Sequence, residues 1–353
     1  MTETFPSSAH KQRYDTSDHL IRPSAYEMAE AGPSNAVTPK VGFVGLGAMG
    51  KGMATCLARH LAASDQSLSV YNRDASKLQA LTSDPALGHL RLTPRTDLAE
   101  MALSCTIIFT MLSHDAAVRD VMGSIICAQE AASLRDPAAL QGLQLARVLV
   151  DCSTVSPETT KAMSAAAEAV GALYVACPVL GRPDAAAAAN LLIFCSGNDE
   201  AKTLIMPYLS SMSRKVLDLG REAHKANIMK LLANFHLVSL IELLSEGMTL
   251  AEKNGIERDK YMAFINEILP VPIVNGYGSR IAANAFDAGL GFTVTLGLKD
   301  VNLMRKLAED SEAPLPLADV AFNHLLAAKA SGLADKDWAA LAVAVRRAAG
   351  LPE

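Results

Sequence analysis

The stretch from residue 41 to residue 60 constrains the fold more than any other part of this sequence. A short apolar run (Val41, Phe43, Val44) leads into a turn with glycines at positions 45, 47 and 50, and an amphipathic helical pattern follows. This order of strand, glycine turn and helix is typical of a dinucleotide-binding unit, in which the free N–H groups at the helix start face the pyrophosphate. Glycine turns also have purely structural uses, so the flanking sequence has to decide between the two interpretations.

Each position of the turn has an expected role. Gly45 permits the tight turn, Gly47 lets a pyrophosphate approach the backbone, and Gly50 lets the helix pack closely against the strand. The other three residues of the turn are expected to line the cofactor as well: Leu46, Ala48 and Met49.

Length and composition limit the class of protein. A chain of 353 residues is expected to form two domains, and a net charge of -5 suits neither a nucleic acid nor an anionic membrane as partner. Charged or polar residues interrupt every long apolar run, so no membrane-spanning segment is predicted. The six cysteines, at positions 56, 105, 127, 152, 177 and 195, form no Cys-x-x-Cys pair and have no histidine at ligand spacing. We therefore expect buried, reduced thiols and no metal site.

Residues 1–38 differ in character from the rest of the chain. They are rich in Ser, Pro, Thr and charged residues and have no sustained periodicity, which predicts a disordered tail. A mitochondrial presequence would be nearly free of acidic residues, whereas this segment carries acids at positions 3, 15, 18, 27 and 30. A cytoplasmic location is therefore favoured.

From residue 39 to about residue 220, short apolar runs alternate with helical patterns. The runs after the glycine turn are Leu68–Tyr71, Cys105–Leu112, Val148–Cys152, Leu173–Val175 and Leu191–Cys195. Runs of this length without polar alternation are typical of a parallel sheet that is covered on both faces. The sequence therefore predicts an α/β domain with a Rossmann-type doubly wound parallel sheet.

Residues 221–353 show only helical patterns and predict an all-α C-terminal domain. It begins with one long interdomain helix over Glu222–Asn254, which ends at an Asn-Gly pair. Further helices are predicted over Lys260–Leu269, Ser279–Ala285, Lys299–Asp310, Pro316–Ala330 and Asp337–Ala349.

The end of the second strand bears on the choice of cofactor. In NAD-preferring units an acidic residue stands there and accepts a hydrogen bond from the ribose 2′-hydroxyl. This chain has Tyr71-Asn72-Arg73-Asp74 instead. A guanidinium beside a neutral amide can hold a 2′-phosphate, so we predict that Asn72 and Arg73 contact NADP, with NAD as a possible cofactor. In the alternative interpretation Arg73 is solvated and Asp74 caps the next helix.

A lysine and an asparagine share one face of the long helix. Lys230 and Asn234 are four residues apart, and apolar residues surround both in the sequence. A lysine held in an apolar cleft has a lowered pKa and can serve as a general acid or base. The alternative is that Lys230 extends from the core to solvent.

Five stretches, in this order along the chain, resemble the β-hydroxyacid dehydrogenase family, which includes 3-hydroxyisobutyrate dehydrogenase and the glyoxylate/succinic semialdehyde reductases. They are Gly45–Gly50, Thr110–Leu112, Asp151–Thr154 with Pro157, Lys230–Asn234 and Phe292–Asp300. The resemblance covers roughly residues 40 to 330 and includes the NADP-binding domain typical of 6-phosphogluconate dehydrogenase.

The resemblance implies roles for particular residues. Lys230 would donate a proton to the substrate carbonyl as the nicotinamide delivers hydride, Asn234 would fix the lysine and the substrate, and Ser153 would contact the substrate. The residues expected along the cofactor are Met111, Leu112, Thr154 and Lys299. Lys299 with Asp300 can also be interpreted as a helix start with an exposed ion pair.

One stretch departs from the family pattern. Where the family usually has Asp-Ala-Pro-Val-Ser-Gly-Gly, this chain has Ala-Cys-Pro-Val-Leu180-Gly181-Arg182-Pro183, which indicates a variant branch. Gly181 and Arg182 are expected to bind substrate, with Arg182 pairing with an anion or, alternatively, lying on the surface of a loop. Leu180 indicates a less polar substrate than those of the named relatives.

Three functions are consistent with these features. The first is an NADP-dependent oxidoreductase acting on the CH–OH group of a small β-hydroxyacid or on an aldehyde. The second is an imine reductase or reductive aminase, and the third is a catalytically silent scaffold or reader protein. Lys230 argues against the second and third, because such relatives commonly lack the catalytic lysine. The resemblance also implies a homo-oligomer, either a dimer or a tetramer, whose other partner is a small-molecule substrate.

Overall fold

A computed structural model describes residues 38–135, 147–287, 289 and 291–352. The predicted tail, apart from Thr38, lies outside the described residues. Pro39 to Glu353 forms a single compact unit, with an α/β part followed by a helical part.

Six short strands form the parallel body of the sheet. They are β1 (Val41–Val44), β2 (Leu68–Tyr71), β3 (Leu92–Pro94), β4 (Ile107–Thr110), β5 (Val148–Asp151) and β6 (Leu173–Ala176). Their order is β3-β2-β1-β4-β5-β6, with every neighbouring pair parallel. The helices that follow the first five strands are α1 (Ala48–Ala62), α2 (Ala75–Thr82), α3 (Leu98–Ser104), α4 (Asp115–Arg135) and α5 (Pro157–Ala169). The predicted doubly wound fold is confirmed.

The far edge of the sheet differs from a wholly parallel arrangement. It consists of β7 (Val179–Leu180), α6 (Pro183–Ala187), β8 (Leu191–Gly197), α7 (Asp199–Ser210) and β9 (Ser213–Asp218). Strand β8 is antiparallel to β6 and β7 and parallel to β9. The connection from β7 to β8 holds only the short helix α6, whereas a parallel return needs a longer crossover.

The described residues of the helical part form the α-helices α8 (His224–Lys253), α9 (Arg258–Ile268), α10 (Pro272–Ala282), α11 (Val294–Asp310), α12 (Pro316–Ala328) and α13 (Leu341–Ala348). A short 3-10 turn, Trp338–Ala340, precedes α13. The predicted helices are present, but α10 and α11 begin earlier than expected. Pro272 is favourable at the first position of α10, where its missing N–H costs nothing.

Helix α8 is the central element of the fold. It packs against α10, α11 and α13 on the helical side and against α5 and β8 on the α/β side. Among the described helices it alone is long and apolar enough to cross a membrane by length and composition. Its buried residues nevertheless include Lys230, Asn234 and Glu242, as in a core helix that carries a polar site.

The cysteines are all free, as expected from their spacing. Five are buried, but Cys127, on α4, is exposed, so the expectation of burial is wrong for that residue. Its helix presents one face to solvent, and the sequence position of a cysteine does not show which face it occupies.

The glycine turn is shaped by close backbone approaches. Gly45 has φ +99°, and a Cβ atom there would lie 2.3 Å from the carbonyl oxygen of Met111. A Cβ atom at Gly50 would lie 1.9 Å from the carbonyl oxygen of Gly45, so helix α1 contacts the turn at that point. No atom lies within 4 Å of the Cβ position at Gly47. Gly45 and Gly50 are therefore required by the fold, and the space at Gly47 is open.

Replacing Gly50 by alanine is expected to lower the free energy of unfolding by about 1–3 kcal/mol, because the new methyl group displaces the turn. Gly123→Ala on α4 is the matched control, since no atom lies within 4 Å of its Cβ position. That substitution is expected to be neutral or to stabilise the helix by about 0.5–1 kcal/mol. Urea unfolding of both variants measures the difference, and equal midpoints would contradict this packing argument.

Candidate active site

The carboxyl ends of the parallel strands lie in one row. Val44 of β1 is in register with Tyr71 of β2 and Thr110 of β4, and Thr110 is in register with Asp151 of β5. The residues predicted to contact the cofactor follow these strand ends directly. Strand β2 pairs with β1 on one side, and β4 pairs with it on the other. The glycine turn therefore lies at the topological switch point, where such sheets bind ligands.

Asn72 holds the glycine turn in place. Its side-chain oxygen accepts a hydrogen bond from the Leu46 N–H at 2.8 Å, and its amide nitrogen donates to the Asp74 carbonyl at 2.9 Å. Gly45 N–H donates to the Tyr71 carbonyl at 3.0 Å. Helix α1 begins at Ala48 without a side-chain cap, which leaves its first N–H groups available to an anion.

Arg73 lies exposed beyond the end of β2 and makes no hydrogen bond or ion pair with a described residue. Its neighbour Asp74 caps α2, accepting from the Ser76 N–H at 3.0 Å and the Ser76 hydroxyl at 2.6 Å. These hydrogen bonds lower the pKa of Asp74. The side chain of Asp74 therefore caps the helix, while the guanidinium of Arg73 remains available to a ligand.

Ser153 joins the ends of β4 and β5 and is fully buried. Its hydroxyl oxygen accepts from the Leu112 N–H at 2.9 Å, and its own N–H donates to Asp151 Oδ1 at 3.1 Å. Thr110 Oγ1 also donates to Asp151 Oδ1, at 2.8 Å, and burial raises the pKa of that carboxyl group. Ser153 therefore fixes the loop that carries Met111 and Leu112.

Asn227, one turn before Lys230 on α8, connects that helix to the loop after β5. Its amide nitrogen lies 3.4 Å from the carbonyl oxygens of Ser153 and Val155, and its oxygen accepts from Thr160 Oγ1 at 2.9 Å. Asn227 was not predicted from the sequence, although it lies only three residues before the matched stretch on α8. Asn227 sets the position of α8 against the strand ends.

A polar chain runs from α8 through α11 to the loop after β5. Lys230 Nζ donates to Asn234 Oδ1 at 2.9 Å, and Asn234 Nδ2 donates to Asp300 Oδ2 at 2.6 Å. Lys299 Nζ lies 2.8 Å from Asp300 Oδ1 and donates to the carbonyl oxygen of Thr154 at 2.6 Å. The structure thus brings together four of the predicted site residues through one carboxylate.

Burial determines the pKa of Lys230, which is only 6% exposed. Loss of hydration is the main reason that its pKa falls to about 8; the negative charge of Asp300 acts to raise it, and the positive charge of Lys299 acts to lower it. The alternative interpretation required Lys230 to extend to the protein surface, but the lysine does not do so. It lines a cavity instead.

Asp300 belongs to the pair that the alternative interpretation of Lys299 and Asp300 placed at an exposed helix start. That alternative is wrong, because Asp300 is buried and α11 begins at Val294, well before Lys299. Its position beside Lys299 in a matched stretch was the available signal. Its oxygen Oδ2 accepts from Asn234 and thereby orients the asparagine that holds Lys230.

The cavity beside Lys230 measures about 310 Å³ and lies between the α/β and helical parts. Its polar side chains include Arg182, Lys230, Asn234 and Arg280. Its apolar walls include Leu180, Leu237, Ile273, Tyr277, Phe292 and Trp338. Gly181 also lines it, whereas Ser153 does not.

Arg182 is neither free nor simply on the surface. Its Nη1 donates to Asp337 Oδ2 at 2.9 Å, and Nη1 of Arg280 donates to the same oxygen at 2.7 Å. Asp337 is fully buried before the 3-10 turn. No sequence pattern singled out Arg280 or Asp337, because both lie in ordinary helical or loop contexts far from Arg182.

Two family profiles cover the described unit. The profile for the NAD binding domain of 6-phosphogluconate dehydrogenase matches residues 40–220. The profile for the NAD-binding region of NADP-dependent 3-hydroxyisobutyrate dehydrogenase matches residues 225–345.

Two relatives illustrate the similarity in sequence. The chain is 36% identical over 302 residues to the uncharacterized oxidoreductase YfjR of Bacillus subtilis, covering 86% of this chain and 98% of the relative. It is 26% identical to glyoxylate/succinic semialdehyde reductase 2, chloroplastic, of Arabidopsis thaliana, covering 88% of this chain and 80% of the relative.

Solved structures share the fold. A 3-hydroxyisobutyrate dehydrogenase of Mycobacterium tuberculosis with L-serine aligns with TM-score 0.73 and 22% identity, covering 88% of this chain and 100% of the other. An imine reductase from Pseudomonas sp. aligns with TM-score 0.54 and 20% identity, covering 87% and 99%. From the matched profiles and the relatives together, the chain belongs to the β-hydroxyacid dehydrogenase family of NAD(P)-dependent oxidoreductases.

Proposed function

We propose that this protein is an NADP-dependent oxidoreductase of a small β-hydroxyacid or aldehyde-type substrate, with Lys230 as general acid and base. The observation that carries the proposal is the buried chain of hydrogen bonds from Lys230 through Asn234 to Asp300 beside a cavity. A buried lysine whose pKa lies near neutrality is suited to proton transfer in either direction.

The residues at the switch point fit a dinucleotide. The space at Gly47 is open, the start of α1 has no side-chain cap, and the guanidinium of Arg73 is unpaired among the described residues. The backbone from Gly45 to Gly50 would hold the pyrophosphate, and Arg73 with Asn72 would hold a 2′-phosphate. The residues proposed to line the rest of the cofactor are Met111, Leu112, Thr154 and Lys299.

The bound nicotinamide supplies or accepts the hydride. In reduction, Lys230 Nζ donates a proton to the substrate oxygen, and in oxidation the neutral amine removes the hydroxyl proton. Asn234 keeps Nζ in place with its oxygen, because its amide nitrogen is committed to Asp300. The carboxylate of Asp300 favours the protonated lysine, whereas burial and Lys299 favour the neutral one.

The apolar walls around Leu180 favour an imine reductase or reductive aminase as the second candidate, since a less polar substrate suits them. The buried Lys230 favours carbonyl reduction, because a positioned ammonium donates directly to a developing alkoxide. A scaffold or reader without activity would leave this proton-transfer geometry unused. A screen of NADPH oxidation against small aldehydes, keto acids and cyclic imines separates the three.

We further propose a homo-oligomer that forms through the helical part. Exposed large apolar side chains occur on α8, on α9 and at the start of α10, and they include Leu243, Leu250, Phe264, Ile268 and Ile273. Burying such side chains against a second copy would remove them from water.

All six cysteines, which lie in the described part of the chain, are free, and this supports the proposal of a cytoplasmic location.

Replacing Lys230 by alanine is expected to lower the rate of NADPH-dependent reduction by about 100-fold or more, because the general acid is lost. Cofactor affinity should stay nearly unchanged, since Lys230 lines the substrate cavity. Steady-state kinetics and fluorescence titration with NADPH measure the two quantities. Activity close to that of the wild type would rule out this role of Lys230.

The reduction rate should fall as the pH rises through about 8, since the protonated lysine is required, and the oxidation rate should rise over the same range. Asp300→Asn removes a charge that raises the pKa of Lys230, so both transitions should move to lower pH. Asp310→Asn, in an exposed ion pair with Lys306 on the same helix, is the control and should leave the profile unchanged. Identical profiles for all three proteins would contradict the assignment.

Arg73→Ala is expected to weaken NADPH binding by about 10- to 100-fold and to change NADH binding little, because only NADPH carries the 2′-phosphate. Gly47→Ala should weaken both cofactors without lowering the melting temperature, since its Cβ position is open in the fold. Calorimetric titration with both cofactors measures these effects. An unchanged cofactor preference in Arg73→Ala would refute the proposed NADP site.

A further inference from the structure

Two arginines in the cavity share a single carboxylate oxygen. Arg182 comes from the loop before α6, Arg280 comes from α10, and both donate to Asp337 Oδ2. The other oxygen of Asp337 accepts from the Ala339 N–H at 3.1 Å. The three side chains therefore carry a net charge of about +1 at neutral pH, because both guanidinium groups stay protonated.

The two guanidinium groups keep unused donors. Each has five N–H groups, and each spends only one on a described partner. Nε of Arg280 is buried without a hydrogen-bond partner. The side chains are 34% and 24% exposed, so both remain accessible from the cavity that they line. A cation in such a place gains most from an anion that completes its hydrogen bonds.

No acidic side chain lines the cavity among the described residues, whereas Arg182, Arg214, Lys230 and Arg280 do. Asp337, the carboxylate that pairs with Arg182 and Arg280, is fully buried behind them. Positive charges between low-dielectric walls concentrate anions in the space that they enclose.

The remaining walls suit an apolar body. Trp338 Nε1 donates to the Tyr277 hydroxyl at 3.0 Å, so the two polar atoms are paired with each other. The rings of Phe292 and Trp338 pack edge to face with centroids 4.8 Å apart. Together with Leu180 they offer apolar surface beside the arginines.

We propose that Arg280 and Arg182, positioned by Asp337, bind the carboxylate of the substrate, and that the aromatic walls select an acid with a branched or aromatic body. A planar carboxylate matches the fork of a guanidinium, and its single charge balances the surplus of the arginine pair. Lys230 lines the same cavity, so the reacting carbon would lie toward Lys230 and the carboxylate toward α10. This inference rests on the proposed function for the reaction itself.

The test is calorimetric binding to the NADP-saturated protein, in which these ligands undergo no turnover. The probes are isobutyrate, isovalerate, cyclohexanecarboxylate, benzoate and phenylacetate, each compared with its carboxamide. At least one acid should bind about 10-fold or more tightly than its carboxamide. Arg280→Gln and Arg182→Gln should each remove that preference while the affinity for the carboxamide stays the same.

Arg305→Gln is the matched control, because Arg305 pairs with exposed Asp319 and does not line this cavity. It should bind every probe as the wild type does. Melting temperatures identify a variant that fails to fold, and Arg280→Lys, which keeps the charge without the fork, then replaces Arg280→Gln and should show an intermediate preference.

Three results would overturn the inference. They are the absence of any acid preference in the wild type, equal losses of acid and carboxamide binding in the glutamine variants, and tighter binding of phenyl phosphate than of every acid. The proposed function is tested separately, because binding involves no hydride transfer. If the wild type prefers acids and Lys230→Ala keeps full activity, only the role of Lys230 is refuted. If the wild type shows no acid preference but reduces neutral aldehydes in a reaction that depends on Lys230, only this carboxylate site is refuted.

Discussion

The burial of one lysine amine is the constraint on which the site depends. An ammonium group removed from water is costly unless hydrogen bonds and an opposite charge compensate for the loss. Asn234 accepts a hydrogen bond from Lys230, and Asp300, which accepts a hydrogen bond from Asn234, provides the negative charge. Because Asp300 hydrogen-bonds Asn234 and not the lysine, its negative charge offsets only part of the loss of hydration. The pKa of about 8 is the result of this partial compensation.

The two parts of the chain are both needed for this arrangement. Helix α8 carries Lys230, and helix α11 carries Asp300. Lys299, also on α11, donates a hydrogen bond to the carbonyl oxygen of Thr154 in the α/β part. Asn227 ties α8 to the loop after β5 one turn before the lysine. The strand ends thus determine where α8 lies, and α8 determines where the proton donor stands relative to the predicted cofactor.

Local features of the sequence were sufficient for much of this structure. The glycine turn, the apolar strands and the long helix follow from periodicity and backbone sterics, which act between neighbouring residues. Strand β9 was missed because its residues are mostly half-exposed or exposed and form no apolar run. The antiparallel direction of β8 depends on the length of a connection rather than on the composition of the strand.

The candidate site divides in the same way. Lys230 and Asn234 are one helical turn apart, so their proximity is visible in the sequence. Asp337 reaches Arg182 across 155 positions and Arg280 across 57, and such contacts arise only from the packing of distant elements. The pair of Lys299 and Asp300 was visible in the sequence, but the burial of Asp300 was not, because burial is not a property of a residue pair in the sequence.

The titration of the Lys230 amine is the direct test of its role as proton donor and acceptor. Protein labelled with ¹³C at lysine Cε gives one NMR signal for each lysine, and the signal absent from Lys230→Ala identifies the residue. We expect a midpoint near pH 8 for that signal. A midpoint near the ordinary lysine value of about 10.4 would contradict the proposed role, because an amine that stays charged at neutral pH could not accept the hydroxyl proton in oxidation.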